Sequence, residues 1–436
     1  MSWASDIKHD ERLIKHLGGN SPSNECGEDK WREYESEKAK IWQKLRQEVM
    51  VKAAERVKNE FQSPSYSHSL WSEAGRRSGQ VWGNINDYTR DQHPMAKKLE
   101  DELAREYLTL LRRQGVGALT TSSGMAALTT ILIGLARVSK NNGTYFMGKE
   151  SYFQNHEVVE NSTNKIIKFD ELDLDKLATL LQKEQPSVVF VDSLCNNPTL
   201  TCPDINRIAQ LIRKNCVAKT ILVVDNSLLG VGVNYEMLWK ENKGTCQLIV
   251  WESMNKFFQY GLDRTTGGVI WAPKNGKDGL TYWDLFYARV HTGTIMPDFA
   301  CALIPRQNAS LMKAYQARIN RNGEILYKKL QKLVDGKKIA TVYRGKRDKF
   351  SGAQIVVELK NNSVWQIQGV IRKSLFLAKM RGVQLSAGSS FGLPNTRLYL
   401  TARKSEFVKS FLRIAVGCES ELAIKEIVKV LGAVLS

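Results

Sequence analysis

Lys256, Asp225 and the run Ser122-Ser123-Gly124-Met125 are residues whose types and positions can do chemistry together. The serine-glycine run stands where a predicted strand turns into a helix. The backbone N–H groups and helix dipole of such a turn favour a phosphate, and the same turn can simply cap the helix. Asp225 closes the apolar run "ILVVD", so its carboxylate falls at a strand end, free to meet a cationic ligand or to cap the next turn. Lys256 follows the run "CQLIVWES"; alone it reads as a solvated amine. Taken together the three meet the needs of pyridoxal phosphate. The turn takes the phosphate, the carboxylate pairs with the pyridinium nitrogen, and the amine condenses with the aldehyde. Burial and a nearby cation would lower the amine's pKa and make it nucleophilic.

The elements that must position these groups follow from the hydrophobic pattern. "GVGALTTSSGMAALTTILIGLARV" predicts a strand, a turn and a helix opening at Gly124. "PSVVFVDSL", "KTILVVDNS", "TCQLIVWES" and "GGVIWAP" predict buried strands, and "DINRIAQLIRKN" predicts a helix. Near-continuous apolar strands alternating with helices indicate a mostly parallel sheet with helices on both faces, in which ligands bind at the carboxyl ends of the strands. Beyond Pro297 a long helical stretch over about 309–334 leads into "GAQIVVELK", a helix through "VWQIQGVIRKSLFLAKM", "FLRIAVG" and a final helix, a smaller α+β domain. Arg413 sits within the apolar "FLRIAVG" and needs a partner there, which a substrate carboxylate would supply. The charged stretch Trp31 to Phe61, free of Gly and Pro, predicts a helix in an N-terminal extension. The expected division is residues 1–75 as a helical extension, 76–305 as the large domain, and 306–436 as a linking helix and C-terminal α+β domain.

The bulk composition bounds the rest. The 436 residues suffice for more than one domain, and 42% hydrophobic content is globular. Lys and Arg exceed Asp and Glu by 63 to 45, giving +18, yet the basic residues are spread along the chain and no nucleic-acid motif accompanies them, so no nucleic-acid partner is expected. Seven cysteines, an odd number with no CxxC pair, suggest reduced thiols, a cytoplasmic location, and no zinc knuckle; no metal is expected. No apolar run approaches the ~18 residues a membrane span needs, and the N-terminus shows no apolar core of a secretory signal.

The motifs carry a resemblance. From about Tyr88 onward the chain resembles the pyridoxal-phosphate enzymes of cysteine and methionine metabolism, the fold-type-I group of cystathionine γ-synthase, cystathionine γ-lyase, cystathionine β-lyase and methionine γ-lyase. The matching segments, in order, are "YTRDQHPMAKKLEDELA", "SSGMAAL", "ESYFQN", "VDSLCNNPTLTCPDI", "VVDNS", "SMNK" and "FLRIAVGCES". The resemblance implies that Lys256 carries the cofactor as a Schiff base and moves protons. Asp225 would hold the ring nitrogen, helped by Ser227. Tyr152 would stack on the ring and assist proton transfer. Ser123, Gly124, Met125, Ser253 and Asn255 would bind the phosphate. Arg413 would grip the substrate carboxylate, with Asn197 and Ser386 close by. Tyr88 and Arg90 would reach the cofactor of a neighbouring subunit, implying a homodimer or homotetramer. His156 and His291 are expected to be structural.

The implied reaction is elimination or replacement at Cγ or Cβ of an L-amino acid. An aminotransferase or other enzyme of the same fold, and a basic binding protein without catalysis, stay open as alternatives. The sequence departs from the family pattern at several positions, which should leave cofactor binding intact but not the standard substrate end of the pocket. Asn255 replaces a threonine, Phe153-Gln154-Asn155 replaces Gly-Gly-Thr, Asp192 replaces a glutamate, and Leu385 stands where γ-synthases often carry glutamate. They imply a divergent member with a specialised substrate.

Overall fold

The computed structural model describes residues 3–22, 27–60, 93–108, 115–139, 143–162, 165–230, 244–276, 279–334, 338–345, 351–401 and 409–436. It has the expected α/β class. The larger sheet contains β1 (Val116–Thr121), β2 (Tyr145–Gly148), β3 (Ile166–Phe169), β4 (Val188–Asp192), β5 (Thr220–Asp225), β6 (Cys246–Ser253) and β7 (Gly268–Pro273), in the spatial order β1-β7-β6-β5-β4-β2-β3. β3, β2, β4, β5 and β6 run parallel; β7 is antiparallel to both β6 and β1.

The strands are apolar throughout because both faces are covered. On one face Val189, Val191, Leu222, Val224, Leu248 and Val250 join the core that contains Leu177 and Leu181 of helix Leu174–Glu184 and Ile208 and Ile212 of helix Ile205–Asn215. Their sequence neighbours Val188, Phe190, Ile221, Val223, Ile249 and Trp251 join the opposite core, with Leu128 and Ile131 of helix Gly124–Ser139 and Leu285 of helix Tyr282–Thr292. This alternation is the two-residue period of a pleated strand. It places Asp192 and Asp225 side by side at the ends of β4 and β5, with Trp251 next along on β6.

The smaller sheet has the order β10-β11-β12-β9-β8, built from β8 (Ile339–Tyr343), β9 (Gln354–Leu359), β10 (Ser386–Ala387), β11 (Arg397–Thr401) and β12 (Phe411–Ala415). Helices Val364–Met380 and Glu421–Leu435 pack together over it, and helix Ala309–Gln331 runs from the large sheet to this region.

The stretch 31–61 is helical as expected, over Trp31–Glu60. Helix Trp3–His16 adds an element that the pattern did not announce. Its polar residues Asp6 and Asp10 are buried, where they meet Arg318 and Arg321 of helix Ala309–Gln331 and Lys38 of helix Trp31–Glu60. Among the described residues no helix is long and apolar enough to cross a membrane.

Candidate active site

The end of β1 enters helix Gly124–Ser139 through Ser122 and Ser123. The Ser123 hydroxyl accepts from the Ala126 amide at 3.0 Å and so caps the helix. Thr121 fixes the turn by donating its hydroxyl to the Ser123 carbonyl at 2.9 Å. Gly124 is favoured by close approach: a Cβ there would sit 3.0 Å from the Ser253 Cβ and 3.2 Å from its Cα. Gly268 is tighter still, since a Cβ would fall 2.3 Å from the Ser123 carbonyl oxygen. The turn after β1 and the end of β6 are thereby pressed together where helix Gly124–Ser139 begins.

Asp225 is buried at the end of β5. Its Oδ1 accepts from the Ser227 amide at 2.9 Å and its Oδ2 from Asn155 Nδ2 at 3.0 Å. Burial pushes its carboxyl above the usual range, opposed by the Ser227 and Asn155 bonds and the Lys256 charge. Neighbouring Asp192 is pushed well up by burial and then by the Asp225 charge. The Ser227 hydroxyl accepts from the Ser253 amide at 2.8 Å, tying β5 to β6.

Lys256 follows the β6 end in a turn braced by Asn255, whose Oδ1 accepts from the Gly267 amide at 2.9 Å. Its amine donates to the Ser390 hydroxyl at 3.1 Å and lies 5.1 Å from the Phe391 ring centre. Burial lowers its pKa below the ordinary lysine value, the Arg413 charge lowers it further, and Asp263 and Asp225 oppose both. A neutral, nucleophilic amine is therefore more accessible here than on the surface.

Tyr152 donates its backbone amide to Asp192 Oδ2 at 3.0 Å and its hydroxyl to Gln154 Oε1 at 2.9 Å. Burial raises its phenol pKa. Arg413 lies in the middle of β12, buried, with its guanidinium 5.1 Å from the Tyr399 ring centre. Nη1 donates to Asn196 Oδ1 at 3.1 Å, while Nε is buried without a partner among the described residues. Burial lowers its pKa as well.

These groups line one cavity of about 320 Å³, with Ser123, Gly124, Met125, Tyr152, Asp225, Ser227, Ser253, Asn255, Lys256 and Arg413 all on its wall. Two expected residues lie elsewhere. Asn197 donates its side-chain amide to Glu150, Thr199 and Thr201, while its neighbour Asn196 faces Arg413. Ser386 is in β10 outside the lining, and Ser389 and Ser390 of the following turn stand on the wall instead. Tyr88 and Arg90 fall outside the described residues. Sequence reasoning missed Asn196, Ser390 and Phe391; the signal for the first was its adjacency to Asn197 in a matched segment. His156 lies 3.6 Å from Glu160, and His291 stacks on Tyr287 and meets its carbonyl at 2.8 Å, both away from the cavity wall.

The cavity accommodates a phosphorylated pyridine aldehyde. Its wall joins a helix start, a buried carboxylate, a buried amine and a guanidinium.

The family model described as Cys/Met metabolism PLP-dependent enzyme matches residues 45–343. Among curated relatives, the bifunctional enzyme flvA of Aspergillus flavus is 25% identical over 361 residues, covering 80% of this chain and 42% of flvA. The cystathionine gamma-lyase of Saccharomyces cerevisiae is 33% identical over 150 residues, 33% of this chain and 34% of that protein. The chain thus spans less than half the length of the curated relatives it matches. Among solved structures, the cystathionine gamma synthase of Xanthomonas oryzae pv. oryzae in complex with cystathionine superposes with a TM-score of 0.63 at 18% identity, over 86% of this chain and 92% of that one.

Proposed function

The chain belongs to the Cys/Met metabolism PLP-dependent enzyme family, and from that membership we propose that it catalyses elimination or replacement at Cγ or Cβ of an L-amino acid, using pyridoxal 5'-phosphate in the cavity around Lys256. One observation carries the reading. Four separate segments bring a helix start, a carboxylate, an amine and a guanidinium to a single wall. When bound, the cofactor supplies an electron sink for charge developing at the substrate α-carbon.

The chain's own residues do the rest. The Ser123–Met125 turn, with Ser253 and Asn255, holds the phosphate. Asp225 keeps the ring nitrogen protonated, with its own geometry set by the Ser227 amide. Lys256 holds the cofactor through its amine and takes and returns the α-proton. Its lowered pKa makes the neutral, proton-accepting amine more available than that of an ordinary lysine. Arg413 anchors the substrate carboxylate with its guanidinium, from the same cavity wall. Tyr152, partly buried on the same wall, is the proton donor to a departing group. We also infer self-association as a homodimer or homotetramer in which Tyr88 and Arg90 serve a neighbouring subunit, and action in the cytoplasm.

The test is to supply the purified, cofactor-loaded protein with a panel of amino acids bearing Cβ or Cγ leaving groups, with and without an added thiol. Ammonia with keto acid, or a new thioether, is the expected product. Lys256→Ala abolishes both turnover and borohydride-stable retention of the cofactor. Keto acid formed only with an added amino acceptor, or retention by Lys256→Ala, would overturn the reading.

A further inference from the structure

Asn155 occupies an unusual position between two acids. It is 4% exposed, in helix Phe153–Glu160 immediately after Tyr152. Its Nδ2 donates to Asp225 Oδ2 at 3.0 Å and reaches Asp192 Oδ1 at 3.5 Å, while its Oδ1 is buried with no partner among the described residues. A buried amide normally satisfies both ends, and leaving the oxygen unpaired is unfavourable. What holds this amide is therefore its nitrogen. An ionised carboxylate offers only acceptors, so the contact fixes which half of the amide faces Asp225.

Asp225 has a donor on each carboxylate oxygen. Ser227 meets Oδ1 and Asn155 meets Oδ2. Both bonds favour the ionised form against the burial that disfavours it. Asp192 stands next to Asp225 on the adjacent strand. Its Oδ2 is held by the Tyr152 amide, its Oδ1 lies 3.5 Å from the Asn155 Nδ2, and Asn155 sits at the junction of the two acids. At this position the family pattern places a threonine, a shorter group with a single hydroxyl.

We propose that Asn155 is a positioning residue that holds Asp225 ionised and aimed at the cofactor's ring nitrogen. This rests on the reading that Asp225 meets that nitrogen. Asn155 does not touch reacting atoms; it acts through Asp225 alone. Its effect must therefore depend on the nitrogen being present, which a merely structural role would not.

The experiment measures dissociation constants of the protein for pyridoxal 5'-phosphate and for its analogue with C–H in place of the ring nitrogen, by absorbance titration. Wild type, Asn155→Ala, Asn155→Leu, Asn155→Thr and Asp225→Ala are compared. Asn155→Ala and the nearly isosteric Asn155→Leu are expected to weaken pyridoxal phosphate binding roughly tenfold and to leave the analogue nearly unchanged. Asn155→Thr, which retains a donor, is expected to recover part of the loss. Equal weakening for both ligands, or none for either, would overturn the proposal. If Asn155→Ala does not fold, the leucine and threonine variants decide in the same way. A wild type that binds both ligands equally, or an Asp225→Ala variant that still prefers the nitrogen, would instead refute the role given to Asp225. The two failures are thus distinguishable.

Discussion

The Lys256 amine donates to the Ser390 hydroxyl across 3.1 Å, and the two residues belong to different sheets. Lys256 follows β6 of the large sheet, and Ser390 lies in the turn between β10 and β11 of the small one. The turn is pressed onto the lysine: at Gly392, with φ +72°, a Cβ would lie 2.8 Å from the Lys256 carbonyl carbon. The site is closed only where the two sheets' loops meet.

Ser390 has φ +76°, a left-handed conformation that costs a non-glycine residue on the order of 1 kcal/mol. Two substitutions separate its backbone from its hydroxyl. Ser390→Ala removes the hydroxyl and keeps the strain; Ser390→Gly removes both. Both are expected to lower kcat by about three- to tenfold, the worth of one ordinary hydrogen bond. Thermal melting should place the glycine variant above the alanine variant. Full activity in both would show that the hydroxyl does nothing for the amine.

The Lys256 pKa gives a prediction with two signs. Burial lowers it first, the Arg413 charge lowers it next, and Asp263 and Asp225 raise it. Arg413→Leu removes a lowering charge, so the pKa rises and cofactor uptake by the apoprotein shifts to higher pH. Asp263→Asn removes a raising charge, so uptake shifts to lower pH. Rates of cofactor uptake across a pH series measure both. Shifts in the same direction would contradict this account of the amine.

The framework of this site is legible in sequence because it rests on local patterns. "ILVVD" and "CQLIVWES" are apolar without interruption since both faces of β5 and β6 are covered, and their last residues are forced to the sheet edge where ligands sit. Asn196 and Asn197 are not separable that way. They are adjacent and chemically identical, and only the turn that sends Asn197 back to Thr201 decides which one reaches Arg413. The same holds for Ser386 against Ser390. Gly388, Ser390 and Gly392 all have positive φ, so the path of that loop follows no strand or helix period. Helix Trp3–His16 was illegible for another reason: its buried face is partly acidic, and the partners Arg318 and Arg321 lie some three hundred residues away.

That acidic face predicts a large stability effect. Arg318 and Asp10 are both almost fully buried and joined at 2.6 Å, with Lys38 also on Asp10 at 3.1 Å. Removing one partner leaves an uncompensated buried charge, so Arg318→Leu is expected to cost about 3–5 kcal/mol of unfolding free energy. Denaturant titration measures it. The double variant Arg318→Leu, Asp10→Leu should recover part of the loss, because no charge is then stranded.

The N-terminal extension also reaches the turn that follows the lysine. Arg46 of helix Trp31–Glu60 donates Nε to the Leu262 carbonyl at 2.9 Å and Nη2 to the Gly261 carbonyl at 3.1 Å. Arg264 returns the contact, donating Nη2 to the Leu45 carbonyl at 2.7 Å. The clasped turn is strained at Tyr260, with φ +50°, and at Asp263, with φ +48°, and it begins four residues after Lys256. Strained backbone persists only where surrounding contacts over-determine it, and here two arginines supply part of them. Arg46→Ala should therefore speed amide exchange at residues 260–264 and reduce kcat, while global stability falls by only about 1 kcal/mol because Arg46 itself is exposed. Arg46→Lys keeps the charge but not the fork that spans two carbonyls, so it should behave like alanine. Exchange and kcat unchanged in Arg46→Ala would mean that the extension packs beside the lysine turn without holding it. Recovery in Arg46→Lys would mean that charge, rather than the paired carbonyl contacts, does the holding.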